Sequence, residues 1–277
     1  MTDTRISLAG VLGNPVAHSR SPRLFRHWLT RYDLAGYYVP IPVAEADLEQ
    51  VVRTLPAMGF AGINVTIPYK EAVLEVADLV TDRATLIGAA NTIIFRRDGK
   101  IHADNTDGYG FIANLQQNAP SWKPDNGPAA VLGAGGAARA VLTSLIEVGV
   151  KEILLSNRTR PRADALRAEF GSRITVVDWV QAGNMLEAAT TVVNTTSLGM
   201  TGQPELRVPL DGLRSDAVVT DLVYSPLQTR LLRETKEIGC TTIDGLGMLL
   251  HQAVPGFERW FGVRPVVDDD TRAAVLE

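Results

Sequence analysis

At 277 residues, 45% hydrophobic and 21% charged, the chain is long enough for two packed cores and has the balance of a globular protein, not a disordered one. A formal charge of -4 argues against nucleic acid as the main partner, and no apolar run is long enough to cross a bilayer, so no membrane role is expected. The single cysteine, Cys240, excludes an internal disulfide, a thiolate zinc site and a redox dithiol; with no signal peptide in the N-terminal residues, a cytoplasmic protein is expected.

In the first hundred residues, short β-rich runs alternate with amphipathic stretches, which predicts an α/β layer with a largely parallel sheet. Strands are expected at Ile6–Gly13, Gly36–Pro42, Ile63–Ile67 and Thr92–Arg96. Helices are expected at Pro22–Tyr32, where Leu24, Phe25 and Trp28 fall at helical spacing, and at Ala46–Leu55. The proline-rich segment Asn118–Pro128 reads as a connector. After it comes a compact βαβ unit: strand Ala129–Leu132, helix Gly136–Glu147, strand Glu152–Ser156. Further strands are expected at Ile174–Val177, Thr191–Asn194, Val218–Leu222 and Thr241–Ile243, and a last apolar helix at Leu246–Phe261.

The run Gly133, Ala134, Gly135, Gly136, Ala137, Ala138 fits the G-x-G-x-x-G/A fingerprint and lies between strand and helix, where a dinucleotide pyrophosphate meets free amides. Gly133 permits the tight turn, Gly135 lets backbone approach the pyrophosphate, and Ala138 allows close packing of helix on strand. At the end of the next strand, enzymes that use NAD place an acid for the ribose 2′-hydroxyl. This chain has Asn157, Arg158, Thr159 and Arg160 there, a set that suits a 2′-phosphate and favours NADP.

Three polar clusters stand at turns or strand ends of the first domain. In the run Gly13–Pro22, Ser19 and Ser21 lie beside free helix amides, and two readings stand: a carboxylate site, or Ser21 as a helix cap with Pro22 at the first position. Asn64 and Thr66 share a strand face, with Lys70 following as a catalytic candidate or an ordinary surface lysine. Asp107, in Asn105–Gly110 just before the next helix, is a cleft residue or an N-cap. His18, His27, His102 and His251 show no metal-ligand spacing.

Taken in order, GNPVAHSRSP, NVTIPYK, GAANT, NTDGYG, GAGGAARA, NRT, NTTSLGM and DGLGMLLHQA resemble the shikimate dehydrogenase family over nearly the whole chain. The resemblance implies that Ser19 and Ser21 bind the substrate carboxylate, that Thr66, Asn91, Asp107 and Gln252 contact ring hydroxyls, and that Lys70 and Asp107 flank the reacting C3 oxygen. It assigns Gly133, Ala134, Gly135, Gly136 and Ala137, with Asn157, Arg158, Thr159, Arg160 and Arg162, to NADP. It places Leu222, Tyr224 and Gly245 near the nicotinamide or substrate, and associates Asp82 with the cofactor. The implied fold is an α/β substrate domain of residues 1–111 and 245–277 plus a Rossmann-type NADP-binding domain of residues 112–244, with a cleft between them.

The implied reaction is reversible reduction of 3-dehydroshikimate to shikimate, a step of aromatic amino acid biosynthesis. NADPH brings the hydride and Lys70, as ammonium, the proton. Oxidation needs Lys70 neutral, so its rate is expected to rise with pH; no metal is expected, since the lysine takes the electrophile's place. Two rivals remain: a quinate/shikimate dehydrogenase with relaxed NAD use, and a nicotinamide-nucleotide sensor without catalysis. Monomer and homodimer are both open.

Overall fold

The computed structural model describes residues 6–276, which divide into two compact units. One runs from the described N-terminus through Thr106 and resumes at Leu250; the other is Asp107–Leu249. These junctions lie five residues from the sequence-based boundaries on each side.

The first unit is built from β1 (Ser7–Gly13), α1 (Ser21–Arg31), β2 (Gly36–Pro42), α2 (Leu48–Thr54), β3 (Phe60–Val65), α3 (Val73–Val76), β4 (Leu79–Val80), α4 (Asp82–Ile87), β5 (Thr92–Phe95) and β6 (Ile101–Asp104). Among the described residues these strands form one sheet in the order β2-β1-β3-β5-β6-β4. The sheet is mixed, since β5 runs antiparallel to both β3 and β6. The expectation of a largely parallel sheet holds for every strand but β5, which alone runs against the rest. The cause is a hairpin at Asp98-Gly99, where Gly99 has φ 82° and Arg96 donates to the Asp98 carboxylate, turning the chain straight back into β6.

Leu12, Ile63, Val65 and Ile93 fill one core beside this sheet, with Leu48, Val52 and Leu55 packed against them. On α1, Phe25 stacks on Tyr38 with ring centroids 3.8 Å apart, and Trp28 meets Phe257 edge-on at 5.2 Å. The helical spacing of Leu24, Phe25 and Trp28 thus marks the buried face of α1.

The second unit opens with α5 (Asp107–Asn118) and continues as β7 (Ala129–Leu132), α6 (Gly136–Glu147), β8 (Ile153–Ser156), α7 (Arg160–Phe170), β9 (Ile174–Val177), α8 (Ala182–Ala188), β10 (Thr191–Asn194), β11 (Val218–Asp221), α9 (Arg230–Ile238) and β12 (Thr241–Ile243). Its sheet is parallel throughout, in the order β12-β11-β10-β7-β8-β9, which is the doubly wound order of a Rossmann fold. The four central strands, β11, β10, β7 and β8, are buried on both faces, so they read as largely apolar runs rather than alternating ones. α10 (Leu246–Phe261) contains the junction at 249/250, and α11 (Asp269–Leu276) ends the described chain. No helix among the described residues is long and apolar enough to cross a membrane.

Candidate functional site

In the first unit the strand ends carry a buried network of amides and hydroxyls. Asn91, 3% exposed, is its centre. Its Oδ1 accepts hydrogen bonds from the Thr106 amide (2.9 Å), the Thr106 hydroxyl (3.1 Å) and the Thr92 hydroxyl (2.9 Å), and its Nδ2 donates to Gln252 Oε1 (3.2 Å). Asn64 donates from Nδ2 to the Asn91 carbonyl (3.0 Å) and to Thr92 (3.3 Å), while its Oδ1 accepts from the Tyr38 hydroxyl (2.7 Å). Burial pushes the Tyr38 phenol well above its ordinary range, against the smaller opposing effect of its hydrogen bond with Ser21, so it stays a neutral donor. Each buried polar group here holds another in one orientation, which is what a polyhydroxylated ligand requires of its site.

The sequence placed Ser19 and Ser21 beside helix amides, with Ser21 as a capping candidate. Ser21 is instead the first residue of α1, with Arg20 at the cap position and Pro22 second; the Ser21 amide donates to Ser19 Oγ at 3.3 Å. The capping reading is thus corrected: Ser19 satisfies the orphan amide, and the Ser21 hydroxyl is left to Tyr38. Thr66 and Lys70 follow β3 in a turn locked by Tyr69, whose hydroxyl donates to the Val43 carbonyl (2.7 Å). The Lys70 carbonyl accepts the Ala90 amide at 2.7 Å, so this turn is pinned to the segment that carries Asn91. Asp107 begins α5 itself, four residues earlier than a helix starting after the Asn105–Gly110 cluster would have it, and follows directly on the anchored Thr106.

Sequence reasoning missed Asp104. Its carboxylate, 1% exposed, receives a two-pronged contact from Arg83 (Nε and Nη2, both 2.9 Å) as well as the Thr81 hydroxyl and the Asn105 amide. Burial alone raises this carboxyl, yet the Arg83 guanidinium and these donors outweigh it and hold the group below the ordinary carboxylate range. Asp82 is exposed in the first turn of α4, where Thr81 Oγ1 caps the helix by accepting the Ala84 amide. Gln252 lies on α10 and is 9% exposed, its amide directed at Asn91.

In the second unit, the fingerprint turn joins β7 to α6. Gly133 has φ 111°, and a Cβ on it would stand 2.5 Å from Thr195 Oγ1, so only glycine fits. Side chains on Gly135 or Gly136 would meet nothing within 4 Å, and α6 starts without a side-chain cap. The open space over free helix amides, beside Ala134 and Ala137, fits a dinucleotide pyrophosphate.

After β8, Asn157 closes the turn by donating to the Thr159 carbonyl at 2.8 Å. Arg160 is engaged by Asp178 (2.5 Å) and Asp164 (3.6 Å), whereas Arg158 and Arg162 are exposed and carry no ion pair among the described residues. The strand end thus offers two uncommitted guanidinium groups and no carboxylate of its own, a composition that fits a 2′-phosphate. Leu222 packs against the apolar core of this unit, Tyr224 is half-buried in the loop after β11, and Gly245 is buried. No group of three or more His, Cys, Asp or Glu among the described residues is placed to hold a metal ion.

Known proteins resemble the chain along most of its length. Residues 11–93 match the shikimate dehydrogenase substrate binding domain, residues 116–201 the shikimate/quinate 5-dehydrogenase family, and residues 245–275 the shikimate 5′-dehydrogenase C-terminal domain. A relative from Cereibacter sphaeroides, named shikimate dehydrogenase (NADP(+)), is 71% identical over 98% of each chain. The shikimate 5-dehydrogenase of Thermus thermophilus, solved with NADP(H) and shikimate, superposes with a TM-score of 0.85 at 36% identity over 98% of each chain. Quinate dehydrogenase from Corynebacterium glutamicum, solved with NAD, gives 0.89 at 32% identity over 98% of this chain and 99% of that one. The chain belongs to the shikimate dehydrogenase family.

Proposed function

We infer that the chain is an NADP-dependent oxidoreductase that interconverts 3-dehydroshikimate and shikimate. The observation that carries the reading is the Asn91 network: buried amides and hydroxyls, already oriented, offered to a ligand in a chain that also bears a dinucleotide turn. Bound NADPH supplies the hydride. Lys70 gives the proton to the developing C3 alkoxide in reduction, and takes it back as a neutral amine in oxidation. Asp107 accepts a hydrogen bond from a substrate hydroxyl. Ser19 and Ser21, at the start of α1, hold the substrate carboxylate. Thr66, Asn91, Tyr224 and Gln252 fix the ring. Gly133, Ala134, Gly135, Gly136 and Ala137 cradle the pyrophosphate, and Arg158 and Arg162 hold the 2′-phosphate; Leu222 and Gly245 shape the nicotinamide side.

Action as a monomer or homodimer belongs to the same reading. A lone, buried Cys240 supports a cytoplasmic setting. The test is absorbance at the NADPH band while the purified protein oxidises shikimate, with quinate and NAD in parallel. Turnover with shikimate and NADP alone is expected. Equal turnover with quinate and NAD would replace the reading by a relaxed quinate/shikimate dehydrogenase, and no turnover with any pair would replace it by a sensor.

A further inference from the structure

The C-terminal ends of β10 and β11 hold a buried polar cluster that the reaction scheme does not use. Asn194 and Asp221 are the last residues of the two strands, stand opposite each other in register, and are both 0% exposed. Asp221 Oδ1 accepts from Asn194 Nδ2 (2.9 Å) and from the Val223 amide (3.0 Å), and Oδ2 accepts from the Thr229 hydroxyl (2.7 Å). Thr229 also caps α9. Asn194 Oδ1 in turn accepts from the amide and hydroxyl of Thr196 (3.0 and 2.7 Å). One carboxylate therefore ties both ends of the loop 222–229 to the loop that follows β10.

Both loops touch glycines assigned above. Thr195, next to Asn194, closes over Gly133, and a Cβ on Gly245 would lie 2.2 Å from the Leu222 carbonyl oxygen. A shift of the loop 222–229 is thus felt directly at Gly245. In open α/β sheets, ligands bind beyond the carboxyl ends of the strands, where this cluster sits.

No cation pairs with Asp221 among the described residues; its partners are three neutral donors. Burial pushes its carboxyl up to about 6, against the smaller lowering effects of Thr229, Val223 and Asn194. The fold thus keeps an anion that disfavours the folded state at neutral pH, the mark of a group retained for geometry.

We propose that Asp221 is a positioning residue for cofactor use, its buried carboxylate fixing the loop that carries Leu222 and Tyr224 against Gly245. The proposal rests on the assignment of Leu222 and Gly245 to the nicotinamide side and of Tyr224 to the substrate ring. Asparagine at 221 keeps the two bonds to Oδ1 but faces the Thr229 hydroxyl with a donor, leaving that hydroxyl proton without an acceptor and the far end of the loop untied.

The test compares wild type, Asp221→Asn, Thr229→Val and Thr229→Ser in steady-state kinetics, NADPH titration and thermal unfolding. For Asp221→Asn and Thr229→Val the account expects the KM for NADP to rise and kcat to fall by about tenfold, with a smaller rise in the KM for shikimate through Tyr224 on the same loop. The unfolding midpoint of Asp221→Asn is expected to hold or rise, and Thr229→Ser, which keeps the hydroxyl, to restore wild-type kinetics. Wild-type kinetics in both disrupting variants, or losses that merely follow a fallen midpoint, would overturn the proposal while leaving the enzyme reading intact. Should Asp221→Asn fail to fold, the kinetic split in Thr229→Val decides alone. A wild-type protein that neither binds NADPH nor oxidises shikimate sinks the functional reading itself.

Discussion

On the proposed reading, the two units meet their ligands with opposite materials. The first concentrates side-chain amides and hydroxyls at strand ends and buries them: Asn64, Asn91, Thr92, Thr106 and Gln252 each spend their hydrogen bonds on one another. The second strips side chains away at Gly133, Gly135 and Gly136, leaving backbone amides, and keeps its cations outside at Arg158 and Arg162. A small ring with several hydroxyls is recognised only by groups whose lone pairs and protons are fixed beforehand, because a misoriented buried amide is as costly as a missing one. A phosphate is recognised by charge and by close approach, and for both a Cβ is an obstacle.

If this division holds, substitutions should fall into two classes. The largest effect belongs to Lys70→Ala, with kcat expected to drop by on the order of 10²–10³-fold and substrate KM to move far less, read from initial rates. Equal losses in both would leave Lys70 with binding alone. Asn91→Leu removes the common partner of Thr92, Thr106 and Gln252, and kcat/KM for shikimate should fall by roughly 100-fold while NADPH affinity is kept. Arg158→Gln should do the reverse, weakening NADPH by about tenfold with no change in NADH binding, as titration would show. Arg160→Gln is expected to matter less for NADPH than Arg158→Gln, because its guanidinium is already held by Asp178 and Asp164.

The smallest effect on catalysis and a clear one on stability belong to Arg83→Met. It leaves the buried Asp104 carboxylate without its fork, at a cost of about 2 kcal/mol in denaturant unfolding, since Arg83 is itself partly exposed and Arg259 stays 3.9 Å from the same carboxylate. The sign in pH follows from the direction of the shift. A carboxyl held below its unfolded value stabilises the fold at neutral pH, and that stability is lost as pH falls beneath the ordinary carboxylate range. The variant's deficit relative to wild type should therefore shrink in acid.

Much of this was legible in the sequence where local signals suffice. The strand, glycine turn and helix of β7 and α6 were placed to the residue, since the turn chemistry and an unbroken apolar run bracket each element. The hairpin that makes the first sheet mixed escaped because β6 is four residues long and signalled mainly by Asp98-Gly99. What sequence could not supply is pairing at a distance. Asn91 and Gln252 are 161 positions apart, and nothing local says that the polar residue inside the apolar run Met248–Ala253 turns towards an asparagine just before β5. The same limit hid which arginine of the Asn157–Arg162 turn is neutralised, because Asp178 arrives only after β9. Asp104 and Asp221 end strands as unremarkable acids, and only their burial and their donors separate them from surface carboxylates.

The most direct test of the division of labour is a set of four dissociation constants, shikimate and NADPH each titrated into Asn91→Leu and Arg158→Gln and compared with wild type. The account predicts that Asn91→Leu loses shikimate and keeps NADPH, and that Arg158→Gln loses NADPH and keeps shikimate. Loss of both ligands in either variant, at an unchanged unfolding midpoint, would contradict it.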